Sequence, residues 1–342
     1  MITEVELTDE QAFNGWYEVV QDVWTDAWPG DPPWAGVTEM RELLMDREYN
    51  DRALFVGRTS SGDVAGAAEV GMPKKDNLRV ANLEISVKAS FRGQGIGRAL
   101  LDLAEEFAAD NNRTILHSST SGRRATLESR DARFAAAAGY AHARTEVRRE
   151  LRLPLEPARI EALELQSAGA STDYELVSWW RRCPDELIES HARLVTTLTA
   201  DEPHGELDVE TEQFDAERVR RWERDLETIG RELVCTGAVS RATGQLAAVT
   251  EIGLPRPGED LGMQFATVVA REHRGHRLGI LVKLANLKLI AEHDRLPKRL
   301  CTWNAESNDH MIRVNEEFGF EVTGMAFNWQ KTSSEELAES VR

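Results

Sequence analysis

Two short stretches mix arginine with glycine: RGQGIGR at residues 92–98 and RGHRLG at 274–279. Glycines let a backbone turn through left-handed conformations and approach a ligand closely. A loop of successive N–H groups that feeds a helix N-terminus suits anions, because those N–H groups lack intrahelical partners and the helix end carries partial positive charge. Arg92, Gly93, Gln94, Gly95, Ile96, Gly97 and Arg98 are therefore candidate ligand-binding residues, as are Arg274, Gly275, His276, Arg277, Leu278 and Gly279. A glycine-rich tight turn is the plain alternative. No GK[ST] follows for a nucleotide P-loop, and a dinucleotide fingerprint would need glycine where Arg98 stands. In the second stretch Arg277 takes the place of Gly95. That exchange gives up close approach but adds a fixed charge, which suits a rebuilt loop better than a decayed one.

Other side chains could move protons or hold an acceptor. Glu84 lies three residues before Val87 on the strand leading into the first loop, so alternation points it to the opposite face from Val87 unless a bulge redirects it. It is a candidate base or substrate anchor. His117 is a second candidate, with a satisfied structural histidine as the alternative. Glu69 and Glu251 recur in equivalent hairpins. The tryptophan-rich segments 22–34 and 178–183 could shape an acceptor pocket or simply fill a core. An acidic loop at 199–208 could cover the second site and attract an amine.

Stepping out from these residues, 342 amino acids suggest two domains of ordinary size. The formal net charge of −18 argues against a general nucleic-acid-binding surface, which needs lysine and arginine against phosphate. No apolar run is long enough to span a membrane, and the acidic start MITEVELTDE lacks a signal peptide's basic and apolar regions, so a cytoplasmic protein is expected. Cys183, Cys235 and Cys301 stand far apart, which suggests neither a disulfide framework nor a metal site.

The two loops belong to a repeat. Arg274 follows Arg92 by 182 residues, and the same offset joins Gly62 to Gly244, Glu69 to Glu251, Gly71 to Gly253, Val87 to Val269 and Gly97 to Gly279. Each copy reads as one or two helices, a hairpin, a strand, the loop, a periodic helix, a strand, a short helix and a last strand. The helices are expected near 10–28, 37–48, 184–199 and 215–230. This is an α+β unit used twice, with expected boundaries 1–155, a linker 156–172, 173–332 and a tail 333–342.

With strand, R-x-x-G-x-G and helix in that order, the chain resembles the GCN5-related N-acetyltransferase (GNAT) family, and over nearly its whole length the tandem two-domain members found among actinobacteria. The resemblance implies two GNAT-like domains, each a mixed, mostly antiparallel sheet flanked by helices. It implies an acyl-CoA cosubstrate, most simply acetyl-CoA, no metal, and a small-molecule amine as acceptor. The loops would hold the CoA diphosphate, and the strand ends Val87 and Val269 would lend backbone groups to the pantetheine arm. A family asparagine on that arm matches Asn308 in the second copy, whereas Glu128 stands there in the first. The family's tyrosine acid is replaced by Ala135 and Asn315, and a strand base common in the family by Ala81 and Met263. An Asn315 amide could still donate a hydrogen bond to the sulfur but could not supply a proton. The catalytic candidates are thus Glu84 and Asn315. A noncatalytic acyl-CoA-binding or scaffold protein, or transfer to a hydroxyl or thiol, remain alternatives.

Overall fold

A computed structural model describes residues 1–332; the expected tail at 333–342 lies outside them. In chain order the first part contains β1 (Ile2–Glu4), α1 (Glu10–Ala27), α2 (Val37–Met45), β2 (Asn50–Arg58), β3 (Val64–Pro73), β4 (Val80–Val87), α3 (Ile96–Asp110), β5 (Ile115–Gly122), α4 (Arg130–Ala137) and β6 (Ala141–Arg152). Next come α5 (Pro157–Ser167), β7 (Tyr174–Trp180), α6 (Ile188–Asp201), α7 (Ala216–Thr228), β8 (Leu233–Ser240) and β9 (Leu246–Gly253). The chain continues through β10 (Leu261–Val269), α8 (Leu278–Glu292), β11 (Arg299–Ala305), α9 (Asp309–Phe318) and β12 (Glu321–Thr332).

The chain divides into two compact units that do not coincide with the sequence repeats. Among the described residues, unit 1 comprises 1–146, 204–210 and 324–332, and unit 2 comprises 147–203 and 211–323. The last strand of the chain therefore belongs to the unit built mostly from the first repeat. It pairs antiparallel with β5, from Met325 opposite Gly122 to Thr332 opposite Ile115. Conversely, β6 begins in unit 1 and its second half, from Val147, lies beside β11 in unit 2. The two repeats thus trade their closing strands. The segment expected as a linker at 156–172 is mostly the helix α5, whose Leu163 is buried with Ile280, Leu284 and Phe318. A strand-sized apolar run carries no mark of which equivalent edge it will close, so the boundary could not be read from composition.

In unit 1 the strand order is β1-β2-β3-β4-β5-β12. One face packs on α1, through Phe13, Trp16, Leu54, Val56 and Ala67. The opposite face packs on α3 and α4, through Leu83, Leu100, Leu101, Ala132 and Trp329. Gly66 permits the close fit of α3: a Cβ there would stand 2.7 Å from Leu100 Cδ1. The order in unit 2 is β6-β11-β10-β9-β8-β7, with α6 and α7 on one side and α5, α8 and α9 on the other. Apolar residues surround α8 entirely, consistent with its burial: Leu278, Ile280, Val282, Leu284 and Leu287 are all inside.

Candidate active site

Each unit places its glycine–arginine loop at the same corner. In unit 1, β4 ends at Val87, Gly93 and Gly95 adopt left-handed φ of 80° and 82°, and Gly95 caps α3. The helix's own hydrogen bonds begin with Ala99 N–H to the Gly95 carbonyl, 3.0 Å. The N–H groups of Ile96, Gly97 and Arg98 ahead of it have no helical carbonyl to meet. In unit 2 the corresponding cap is Arg277, held left-handed at φ 57°, ψ 21°, with Gly275 at φ 85° before it. The second loop therefore keeps the shape of the first although its capping residue carries a side chain.

The arginines opening the loops do not face into them. Arg92 Nε donates to the Val87 carbonyl at 3.0 Å and its Nη2 reaches Asp26 at 3.4 Å. Arg274 repeats this, donating to the Val269 carbonyl at 3.3 Å and pairing with Asp201, which also takes Arg271. Both clamp the strand end to the helix beside it, leaving backbone N–H groups to line the loop. Arg98 pairs with Asp102 at 2.7 Å on the surface of α3, and Arg277 reaches Glu317 at 3.2 Å. Around the second loop His310 is held below its usual pKa, first by burial and then by Arg313, Arg274 and Arg277. Three arginines thus bear on His310, two of them also paired with carboxylates, Arg274 with Asp201 and Arg277 with Glu317. Asn308 caps α9, accepting from Met311 N–H at 3.2 Å, so its oxygen is used while its NH2 can still donate. In unit 1 Ser129 performs that capping for α4 rather than Glu128.

Both units also open a gap beside the loop. Parallel pairing of β4 with β5 covers only Val80–Asn82 against Ile115–His117, and that of β10 with β11 only Leu261–Met263 against Arg299–Cys301. Beyond these pairs the strands part, exposing the backbone edge that leads to Val87 or Val269. An extended arm can lie along such an edge and accept main-chain hydrogen bonds.

The faces toward the first helix differ between the units. On the α1 side of unit 1 a polar trough runs across β4, β5 and β12. Asn82 and Glu84 are open to solvent there, and His117, Ser119, Asn328 and Gln330 are half-buried. β3 and β4 pair without a bulge, so Glu84 stands directly across from Glu69. Crowding by the protein around the trough, and secondly the Glu69 carboxylate, push the Glu84 pKa up to about 8. Its solvent-open surface means access for a substrate. Glu69 itself is tied to Arg52 at 2.6 Å. His117 is held below its ordinary pKa, chiefly by burial.

The same face of unit 2 is filled. β10 carries one extra residue between Gln264 and Thr267, a bulge that unit 1 lacks. Phe265, in that bulge, packs edge-on against Trp222 with centroids 5.0 Å apart. Ala266 occupies the place of Glu84, 182 residues on. Glu251, the counterpart of Glu69, is buried and bonded to His191 at 2.8 Å beneath Trp179. The repeated glutamates therefore have unlike partners. Asn315 is fully buried, its oxygen taken by Lys283 at 2.8 Å and its NH2 by Asn304 at 2.7 Å, so it presents no donor at the surface of the gap.

Two features were missed in the sequence. Asn328 and Gln330 line the unit 1 trough from the opposite end of the chain, and polar alternation along β12 is their only signal. The acidic loop expected over the second site instead contributes residues 204–210 to unit 1. There Glu210 N–H donates to Asn77 at 2.7 Å, and Asp208 N–H to Gln330 at 2.7 Å. Of the tryptophans, Trp28 and Trp179 are buried as core filler, whereas Trp24 is half-buried with its Nε1 donating to the Pro32 carbonyl at 3.1 Å.

Taken together, the parted strands and the glycine–arginine loop form a site that suits an extended ligand carrying a diphosphate, as an acyl-CoA does. Residues 13–127 match the model of the acetyltransferase (GNAT) family. The chain is similar to a tandem GNAT protein from the clavulanic acid biosynthesis pathway, at 27% identity, covering 97% of this chain and 98% of that one with a TM-score of 0.75. A GCN5-related N-acetyltransferase from Sphaerobacter thermophilus, at 15% identity, covers 97% and 95% with a TM-score of 0.62. The N-myristoyltransferase of Saccharomyces cerevisiae, solved with bound myristoyl-CoA, shares 9% identity over 97% and 80%, with a TM-score of 0.59. These last two show likeness of fold. A comparison with curated protein sequences gives no match. Among the described residues no helix is long and apolar enough to cross a membrane.

Proposed function

We infer that the chain transfers an acyl group, most simply acetyl from acetyl-CoA, to a primary amine of a small molecule, and that unit 1 performs the chemistry. The observation that carries this is the contrast between the two acceptor faces: unit 1 has an open polar trough with Glu84 in it, and unit 2 has Phe265, Trp222 and Ala266. The N–H groups from Gly93 to Arg98 suit the CoA diphosphate, and the edge of β4 up to Val87 suits the pantetheine arm. Glu84, with a pKa raised to about 8, is a stronger base than an ordinary carboxylate and suits removal of a proton from the attacking amine. The nitrogen bonds to the thioester carbon, the carbon–sulfur bond breaks, and the thiolate takes its proton from solvent, since Ala135 stands where the family acid would be.

The second loop supports CoA binding by unit 2 without chemistry, through Arg277 and the positive charge around His310. A purely CoA-binding protein is the rival reading, favoured by the absence of a tyrosine at both Ala135 and Asn315. Thiol release from acetyl-CoA across a panel of amines separates the two. Turnover that falls at least about a hundredfold in Glu84→Gln supports the enzyme reading; acetyl-CoA binding without release on any amine overturns it.

A further inference from the structure

The geometry at the far edge of the unit 1 trough fixes the protonation of a histidine. Gln330 Oε1 lies 2.7 Å from the backbone N of Asp208 and 3.0 Å from His117 Nε2. A backbone N–H can only donate, so the Gln330 atom it reaches must be the carbonyl oxygen, which settles the orientation of the amide. That same oxygen can only accept from His117. Nε2 therefore carries the hydrogen, and Nδ1 of the neutral ring is left with a bare lone pair. His117 pairs with Asn82 at the last rung before β4 and β5 part, and Glu84 follows two residues along β4 on the same face. The imidazole and the carboxyl thus flank the mouth of the gap.

We propose that His117 is a second proton acceptor of the unit 1 site, with Gln330, from the last strand of the chain, as the positioning residue that keeps Nδ1 unprotonated. The proposal rests on the acyltransferase reading above. An alkylammonium must lose one proton before it attacks, and the adduct nitrogen must lose another to become an amide. Two acceptors match two protons: Glu84 takes one and His117 Nδ1 takes the other, both pass on to solvent, and the thiolate takes one from solvent, so that one proton is released net. The charged groups bearing on His117 are Asp208 from the 204–210 loop, which favours its protonation, and Arg144 from β6, which opposes it. From β4 it faces the uncharged Asn82.

The experiment combines imidazole nitrogen NMR with steady-state kinetics on the full chain. Wild-type His117 is expected as the Nε2–H tautomer, and Gln330→Leu as a mixture of tautomers with kcat reduced roughly tenfold and KM for acyl-CoA unchanged. Gln330→Glu preserves both accepting contacts, so it guards against a folding defect in the leucine variant. Its added carboxylate raises the His117 pKa and moves the lower of the two acid-side inflections of the kcat profile, the one beneath that of Glu84, to higher pH. An Nδ1–H tautomer in the wild type, or an unchanged profile in Gln330→Glu alongside unchanged kcat in Gln330→Leu, overturns the proposal while leaving the acyltransferase reading intact. A wild type without turnover overturns that reading, and this one with it.

Discussion

Lys283 Nζ donates to Asn315 Oδ1 at 2.8 Å, deep in the core of unit 2, and stands over the rings of Phe318 and Phe320 at 5.4 and 4.9 Å. Leu101 holds the equivalent place in unit 1, so the second repeat has put an amine where the first has an alkyl group. Asn315, at the position of the family's catalytic tyrosine, is thereby an internal tether. Burial lowers the Lys283 pKa from 10.5 to about 7. The unfolded chain then holds more protons than the folded one between about pH 7 and 10.5, so stability must rise with pH across that window. Thermal unfolding of the wild type is expected to show this rise and that of Lys283→Met to lack it. The methionine variant should be the more stable at pH 7, since it carries no charge into the core. Equal pH slopes would refute this account of the tether.

Loop 2 retains its left-handed cap with a side chain present, which costs about 1–2 kcal/mol relative to glycine. Arg277→Gly should therefore leave stability unchanged or slightly raised, yet weaken CoA binding to unit 2 by roughly three- to tenfold if the guanidinium meets a phosphate. Thermal unfolding reads the first and calorimetric titration with CoA the second. Equal affinity would mean that the arginine serves only its contact with Glu317.

His310 offers a second view of the same anion. Arg274, Arg277 and Arg313 depress its pKa along with burial, and a bound diphosphate would cancel part of their effect. CoA binding below pH 6.5 should therefore take up a proton, seen as a binding enthalpy that changes with the ionisation heat of the buffer. The uptake is expected to vanish in His310→Asn.

Glu84 predicts the form of the pH–rate profile. A carboxyl with a pKa of about 8 is a base only once ionised, so kcat/KM should climb through that pH and level above it. In Glu84→Gln the climb should disappear together with most of the rate. A residual rise at a pH below the ordinary histidine range would point instead to His117, whose pKa burial lowers, as the principal base.

Exchange of closing strands makes truncation informative. Residues 1–155 contain the whole first repeat but not β12, whose Phe327 and Trp329 are core residues of unit 1; Trp329 also donates to Thr120 at 2.9 Å. Expressed alone, this fragment should fail to give a cooperative unfolding transition. In the full chain Trp329→Ala should destabilise unit 1 by about 3–5 kcal/mol. A stable, cooperatively folding 1–155 fragment would show that β6 can close its own sheet.

Much was legible before any coordinates. The 182-residue offset exposed the duplication, and the helices expected near 10–28, 37–48, 184–199 and 215–230 appear at 10–27, 37–45, 188–201 and 216–228. Those features depend on local periodicity and on residues such as Gly93 and Gly95, whose backbone angles are a property of the residue itself. The shape of the second loop was legible too, because its place in the repeat tied Arg277 to Gly95.

Long-range pairing decided the rest. Thr332 meets Ile115 across more than two hundred residues, and no local pattern states which sheet edge a strand will close. The pKa of Glu84 came from what surrounds it, the burial of Asn315 from a lysine one helix away, and the tautomer of His117 from a glutamine in the last strand. Sequence alone determined the repeated unit and the two glycine–arginine loops, because both are written in short-range stereochemistry. Only the tertiary structure decided which loop stands beside an open polar face, because packing across the sheet fills one face with Phe265 and Trp222 and leaves the other open around Glu84 and His117.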